Sequence, residues 1–256
     1  KFFKSETGFN QQIIQTILTE AVKHDSPELE KLCLDSINSG RFDVASVCSY
    51  VIAFNKILEG LSVFEKWLKS ENWKKRATAS YCISQYGILD YCDSIDLLLE
   101  DKNDYVCVSA AYSLSSLFPD DLSLRLSKTF EHPTFTMKKS VISGLKQNEP
   151  IPLEFITNTL YDDDYPEQIK SSIASLLPFA GDNKKALKNF YKVLPLYPDT
   201  LRKIMYESII NTTNSFWLSQ LKNMYKNETN EDLILLLDSY FEANPQLKKT
   251  RKKEIK

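Results

Sequence analysis

The sequence predicts an all-α protein, an α-solenoid of about seven helix pairs stacked in line. Three observations carry that expectation. Apolar residues recur as triads spaced by four, and the triads recur every 31–33 residues. That spacing puts each triad on one helical face. A second amphipathic stretch precedes most triads, joined to them by short polar turns. No long stretch alternates with period two, and only 6 of 256 residues are glycine, well below the ordinary share of about 7%.

The triads can be taken in order. Val106, Ala110 and Leu114 are the clearest, with small Ala110 and Ala111 letting neighbouring helices approach closely. Met137-Val141-Leu145, Ile169-Ile173-Leu177, Leu201-Met205-Ile209 and Leu233-Leu237-Phe241 follow. Toward the N-terminus, Trp73-Ala77-Tyr81 matches and Phe42-Ser46-Tyr50 matches loosely. The preceding stretches include Leu61-Phe64-Trp67-Leu68, Ile95-Leu98-Leu99, Leu122-Leu126-Phe130, Leu153-Ile156-Leu160, Leu187-Tyr191-Leu194 and Phe216-Leu221-Met224. Pro166 and Pro198 suit a turn or first helical turn, where no backbone donor is needed. Gly87 and Gly181 suit left-handed caps. A single helix pair cannot bury its apolar side, so stacking supplies the core. The expected organisation is a helical cap over residues 1–40, the array over 41–245 and a basic tail over 246–256.

The run Leu98-Leu99-Glu100-Asp101, Val106-Cys107, Ala110-Ala111, Leu114 and Leu117 resembles a HEAT repeat. The short form seen in phycobilisome lyase proteins is the most similar kind. Phe179-Ala180-Gly181-Asp182 through Leu187 resembles that family's link between repeats. The resemblance implies a right-handed solenoid of HEAT-like repeats whose second helices line the concave side. It also implies a ladder joining an acid five residues before each anchor (Asp101, Asp164, Glu228) to a base one residue after it (Lys74, Lys138, Lys170, Arg202). Cys107 and His132 interrupt the pattern. Tetratricopeptide and ankyrin arrays have similar periods, but their signature residues are absent from this chain.

The balance of residues is that of an ordinary globular protein, and a net charge of −2 gives no whole-molecule attraction for nucleic acid. Cys33, Cys48, Cys82, Cys92 and Cys107 form no Cys-x-x-Cys and read as small buried hydrophobes of a reducing compartment. His24 and His132 are the only histidines, which supplies a metal site poorly. The His-Glu pairs of deoxyhypusine hydroxylase are missing. Asp162-Asp163-Asp164 reads as a solvated turn, and Trp67, Trp73 and Trp217 read as packing residues. No cofactor, metal or catalytic residue is expected. No apolar run reaches the ~18 residues of a membrane span. The chain opens on Lys1, and reads as cut from something longer or lacking a processed leader.

The expected function is a non-enzymatic scaffold that binds a protein or peptide on the concave face. The alternative is an enzyme or enzyme-associated HEAT protein, of the cofactor-lyase type or similar to the glycosylases that excise alkylated bases from DNA. Counting from each anchor, the face opposite the core falls at +2, +6, +9 and +13. On that basis the partner-binding residues are Lys75, Tyr86, Tyr112, Lys139, Lys146 and Lys203. Val44, Cys48, Val51 and Val108 would extend the face, unless Val44, Val51 and Val108 are buried between repeats. Lys248-Lys249-Thr250-Arg251-Lys252-Lys253 could add contact with an anionic membrane surface. Nucleic acid and small molecules are not expected partners. The expected location is cytoplasmic, with the soluble domain of a membrane-anchored protein as the alternative.

Overall fold

The computed structural model describes residues 27–38, 42–131, 135–148 and 150–245. The first cap helix, His24, His132 and the basic tail therefore lie outside the described residues. Among those described, the regular structure is helical and includes no strand; the one bridge joins Ile151 to Ala180. The chain divides into two compact units between Gly144 and Leu145.

The first unit contains α1 (Pro27–Ile37), α2 (Phe42–Phe54), α3 (Leu61–Leu68), α4 (Trp73–Tyr86), α5 (Cys92–Asp96), α6 (Asp104–Leu117), α7 (Leu122–Glu131) and α8 (Phe135–Leu145), the last crossing the boundary by one residue. Helices α2, α4 and α6 pack side by side, and α1, α3 and α5 pack against them in turn. The second unit contains α9 (Leu153–Tyr161), α10 (Glu167–Ala174), α11 (Lys184–Val193), α12 (Asp199–Ile210), α13 (Ser215–Asn227) and α14 (Glu231–Ala243). Here α10, α12 and α14 form the inner row, while α9 packs on α10 and α13 on α12 and α14.

Five expected triads are core. All three residues are buried in the triads opened by Val106, Met137, Ile169, Leu201 and Leu233. The first two triads are not. Phe42, Ser46, Tyr50, Trp73, Ala77 and Tyr81 are all only half-buried. The buried positions of α2 include Val44, Cys48 and Ile52, spaced by four, and those of α4 include Ala79 and Ile83. The repeat anchors are thus 44 and 75, two places beyond those expected. With that correction, α2, α4, α6, α8, α10, α12 and α14 each begin two residues before their anchor. Lys75 is half-buried at the anchor place, with its ammonium 5.4 Å from the Trp67 ring centroid.

Helix starts are set by side chains that accept from the first free backbone donors. Asn72, Asn103, Asn183, Asn214 and Asn230 each do this. Gly87 ends α4 with φ 73°, as expected, and Phe118 takes the same left-handed position after α6 with φ 51°. Gly181 has no positive φ; its N–H instead donates to the Ile151 carbonyl at 3.0 Å. Gly144 permits the close approach of α8 to α6, since a Cβ there would overlap the Tyr112 carbonyl and lie 2.7 Å from Ser115 Cβ.

Ala110 is fully buried in α6. Ala110→Phe is therefore expected to lower unfolding stability by about 1–3 kcal/mol, read as a lower urea midpoint. An unchanged midpoint would show that this face of α6 has room that close packing denies.

Candidate functional site

The corrected register moves the exposed face of the inner helices. Positions −2, +2 and +6 from an anchor are spaced by four and share one face. In α2 these are Phe42, Ser46 and Tyr50; in α4 they are Trp73, Ala77 and Tyr81. In α6 they are Asp104, Val108 and Tyr112, with Tyr105 one place on from Asp104. In α8 they are Phe135, Lys139 and Ser143. The first unit thus presents two aromatic rows with a floor of small side chains, Ser46, Ala77 and Val108, between them. The rows stand about 12 Å apart along each helix, at about 1.5 Å per residue.

The rings touch along the +6 row, and one pair touches on the −2 row. Tyr50 meets Tyr81 edge-on at 5.4 Å, and Tyr81 stacks on Tyr112 at 5.4 Å. Trp73 stacks on Tyr105 at 5.5 Å with 23° between planes. Beneath them, Ser109 Oγ donates to the Ala77 carbonyl at 2.7 Å, and Ser80 Oγ to Ser113 Oγ at 3.1 Å. These bonds tie α4 to α6 under the rings, so the aromatic positions rest on a fixed support.

The +6 row is neutral. Burial pushes the Tyr50 hydroxyl up to about 12. Burial raises Tyr81 as well, helped by its neighbours Tyr112 and Tyr50 and by the hydrogen bond it donates to Tyr112. Tyr112 is raised by burial and partly relieved by that bond. The thiol of Cys82, behind this row, is driven to about 12 by burial and bonds the Ser49 carbonyl at 3.6 Å. All five cysteines are buried and free, consistent with small apolar side chains.

The −2 row carries lysines among its rings, with Asp104 as its α6 member. It lies at the N-terminal ends of α2, α4, α6 and α8, where helix dipoles are positive. Lys74 Nζ sits 5.7 Å from the Trp73 ring, and Lys139 Nζ sits 4.6 Å from the Phe135 ring. Tyr105 and Phe135 are 70% and 69% exposed.

The expected partner-binding residues fall in different places. Tyr112 and Lys139 lie on this face. Tyr86 does not: it is buried, and its hydroxyl donates to the Ile57 carbonyl at 2.7 Å. Val44, Cys48 and Val51 are likewise buried between helices. Lys75 covers Trp67, and Lys146, in the second unit, lies 4.2 Å from the Phe179 ring. Lys203 is 3.9 Å from Glu207 and lines a groove between α12 and α14 with Leu235 and Ser239. Trp67 and Trp217 are buried packing residues, and Trp73 is half-buried and stacked on Tyr105.

The ion pairs also differ from the expected ladder. Arg76, not Lys74, meets Asp101, with Nε and Nη2 at 2.6 and 2.8 Å from its two oxygens. Arg202 meets Glu228 at 3.0 Å, as expected. Asp163 rather than Asp164 faces Lys170, at 3.6 Å, while Asp162 accepts the Asp164 N–H at 3.0 Å. Among the described residues no cluster of three or more His, Cys, Asp or Glu is placed to hold a metal, and no helix is long and apolar enough to cross a membrane.

No protein-family model matches the chain, and no curated protein does. Among solved structures it is similar to the complex of CpcE and CpcF of phycocyanin lyase from Nostoc sp. PCC7120. The identity is 16%, the match covers 93% of this chain and 99% of that one, and the TM-score is 0.45. That protein is named as a lyase, where the sequence expectation for this chain is a non-enzymatic scaffold.

Proposed function

We propose that the chain is an enzyme-associated helical-repeat protein, which contributes a binding face to a complex with a partner protein. The observation that carries the reading is the paired aromatic rows of α2, α4 and α6. Large rings held half-exposed, and fixed by hydrogen bonds beneath them, supply contact area at little entropic cost. Aromatic anchors of this kind are the residues that dominate protein interfaces. The tyrosines of the +6 row and the Cys82 thiol behind them are held neutral, which favours binding over nucleophilic chemistry at this face, since thiolate rather than thiol is the reactive form.

The test is purification of the tagged full-length product from its native cell, followed by assay of whatever enzyme accompanies it. The expected result is a stoichiometric complex whose turnover falls when this chain is removed. An accompanying enzyme that works at the same rate without the chain would overturn the reading.

A further inference from the structure

We infer that the aromatic trough of α2, α4, α6 and α8 receives an acidic segment of a partner protein, with apolar side chains on its floor and carboxylates along its lysine-bearing edge. The inference rests on the enzyme-associated reading and names the chemistry of the partner.

The two edges of the trough differ in charge. On the −2 side, Lys74 and Lys139 lie over exposed ring faces, with Lys102 and Lys138 in or beside the adjoining first turns. Four helix N-termini open on the same side, and a carboxylate gains from both the ammonium charges and the dipoles. Glu71 and Asp104 are the acids that share this edge among the described residues of α4 and α6 and their preceding turns, beside Asp101, which Arg76 neutralises. Asp43 is the acid at the start of α2. The opposite edge carries uncharged tyrosine hydroxyls that can donate or accept. An occupant matching both edges is charged along one side only.

The floor sets the rest of the chemistry. Ser46, Ala77 and Val108 are small and half-buried, so side chains entering from above meet aliphatic and ring surface. Apolar contact there, flanked by a charged rim, is the arrangement of an interface core. The ring pairs Trp73–Tyr105 and Tyr81–Tyr112 also offer stacking faces. A single-stranded nucleic acid uses such faces together with a basic groove. Here lysines stand along one edge with Asp43, Glu71 and Asp104 among them, and the chain carries a net charge of −2, which disfavours a continuous polyanion and favours a protein segment with spaced carboxylates.

The experiment titrates the full chain with two short synthetic peptides of identical leucine and phenylalanine content. One has glutamate between the apolar residues and the other has lysine; a single-stranded oligothymidylate is the third probe. Binding is read by fluorescence anisotropy. The expected result is saturable binding of the glutamate peptide alone. Tyr105→Ser and Phe135→Ser should each weaken it about tenfold, and their exposure means that circular dichroism should be unchanged. Lys139→Glu should weaken the glutamate peptide and admit the lysine peptide. Equal binding of both peptides, wild-type affinity in all three variants, or tighter binding of oligothymidylate would overturn the inference. The same variants separate this inference from the functional reading. If they hold the partner enzyme as wild type does, the trough is not the contact, while the reading stands. If wild-type chain leaves the enzyme's rate unaffected, the reading fails, while the peptide result stands.

Discussion

Asp101→Ala is expected to lower the stability of the first unit by about 3–5 kcal/mol, the cost of leaving one member of a buried ion pair without its partner. The side chains of Arg76 and Asp101 are 9% and 8% exposed. Arg76 spends its remaining donors on the Ser70 and Glu71 carbonyls at 2.6 and 3.0 Å. Asp101 also accepts the Asn103 N–H at 2.9 Å, so it fixes the turn that opens α6. Removing the carboxylate strands a guanidinium that cannot neutralise itself. The double variant Arg76→Met with Asp101→Leu should recover part of the loss, because no charge is then left buried. A single and a double variant of equal stability would show that the turn, and not the stranded charge, carries the effect.

The pair also gives stability a pH dependence of definite sign. The Arg76 hydrogen bonds hold the Asp101 carboxyl below the usual carboxylate range, outweighing burial. Glu228 is lowered too: burial pushes it up, but the Tyr206 hydroxyl, the Asn230 and Thr229 N–H groups and Arg202 outweigh that. Both groups are lowered in the folded state. Their contribution is therefore fully present above the unfolded carboxylate value of about 4. It is lost as pH falls through the folded values below that. The midpoints of wild type and Asp101→Ala should converge in this acid range.

The sequence placed the helices well because each buries a stripe whose period survives single substitutions. Val106, Ala110 and Leu114 are apolar and fully buried, and the four later triads behave alike. The first two repeats misled for a physical reason. The anchor place of α4 is taken by half-buried Lys75, with buried Arg76 beside it, so the stripe of Ala79 and Ile83 opens on two cations. Trp73 and Phe42, two places before the anchors, have the apolar character that an anchor should have, yet they are only half-buried. The two aromatic triads were therefore legible as a pattern but assigned to the wrong side of the helix. Caps would have set the register. Asn72, Asn103, Pro166, Pro198 and Asn230 each occupy the position before the first helical residue and stand three residues before the true anchor. A cap position depends on backbone donors and not on burial, so a charged core residue does not blur it. Tyr112 and Lys139 lie on the face that the spacing expects because their repeats are in register with the apolar pattern. Tyr50 and Tyr81 share that face but belong to the two shifted repeats, and Tyr105 lies one place outside the four-residue spacing.

In the second unit the largest expected effect belongs to Trp217. Its side chain is fully buried in α13, edge-on to Phe190 at 6.1 Å and to Phe216 at 5.4 Å. Its indole N–H donates to the Ala180 carbonyl at 3.0 Å, beside the bridge that joins Ala180 to Ile151. Trp217→Ala removes the ring and leaves a cavity, a change that costs about 3–5 kcal/mol. Trp217→Phe keeps most of the apolar volume but leaves the Ala180 carbonyl without its donor, a loss of about 1–3 kcal/mol. The ranking wild type, Phe, Ala should appear in urea midpoints. Hydrogen exchange should rise first at the amides of α11, α12 and α13, whose core the indole fills. Equal losses in the two variants would assign the whole effect to the hydrogen bond, and no loss in Trp217→Phe would assign it to packing alone.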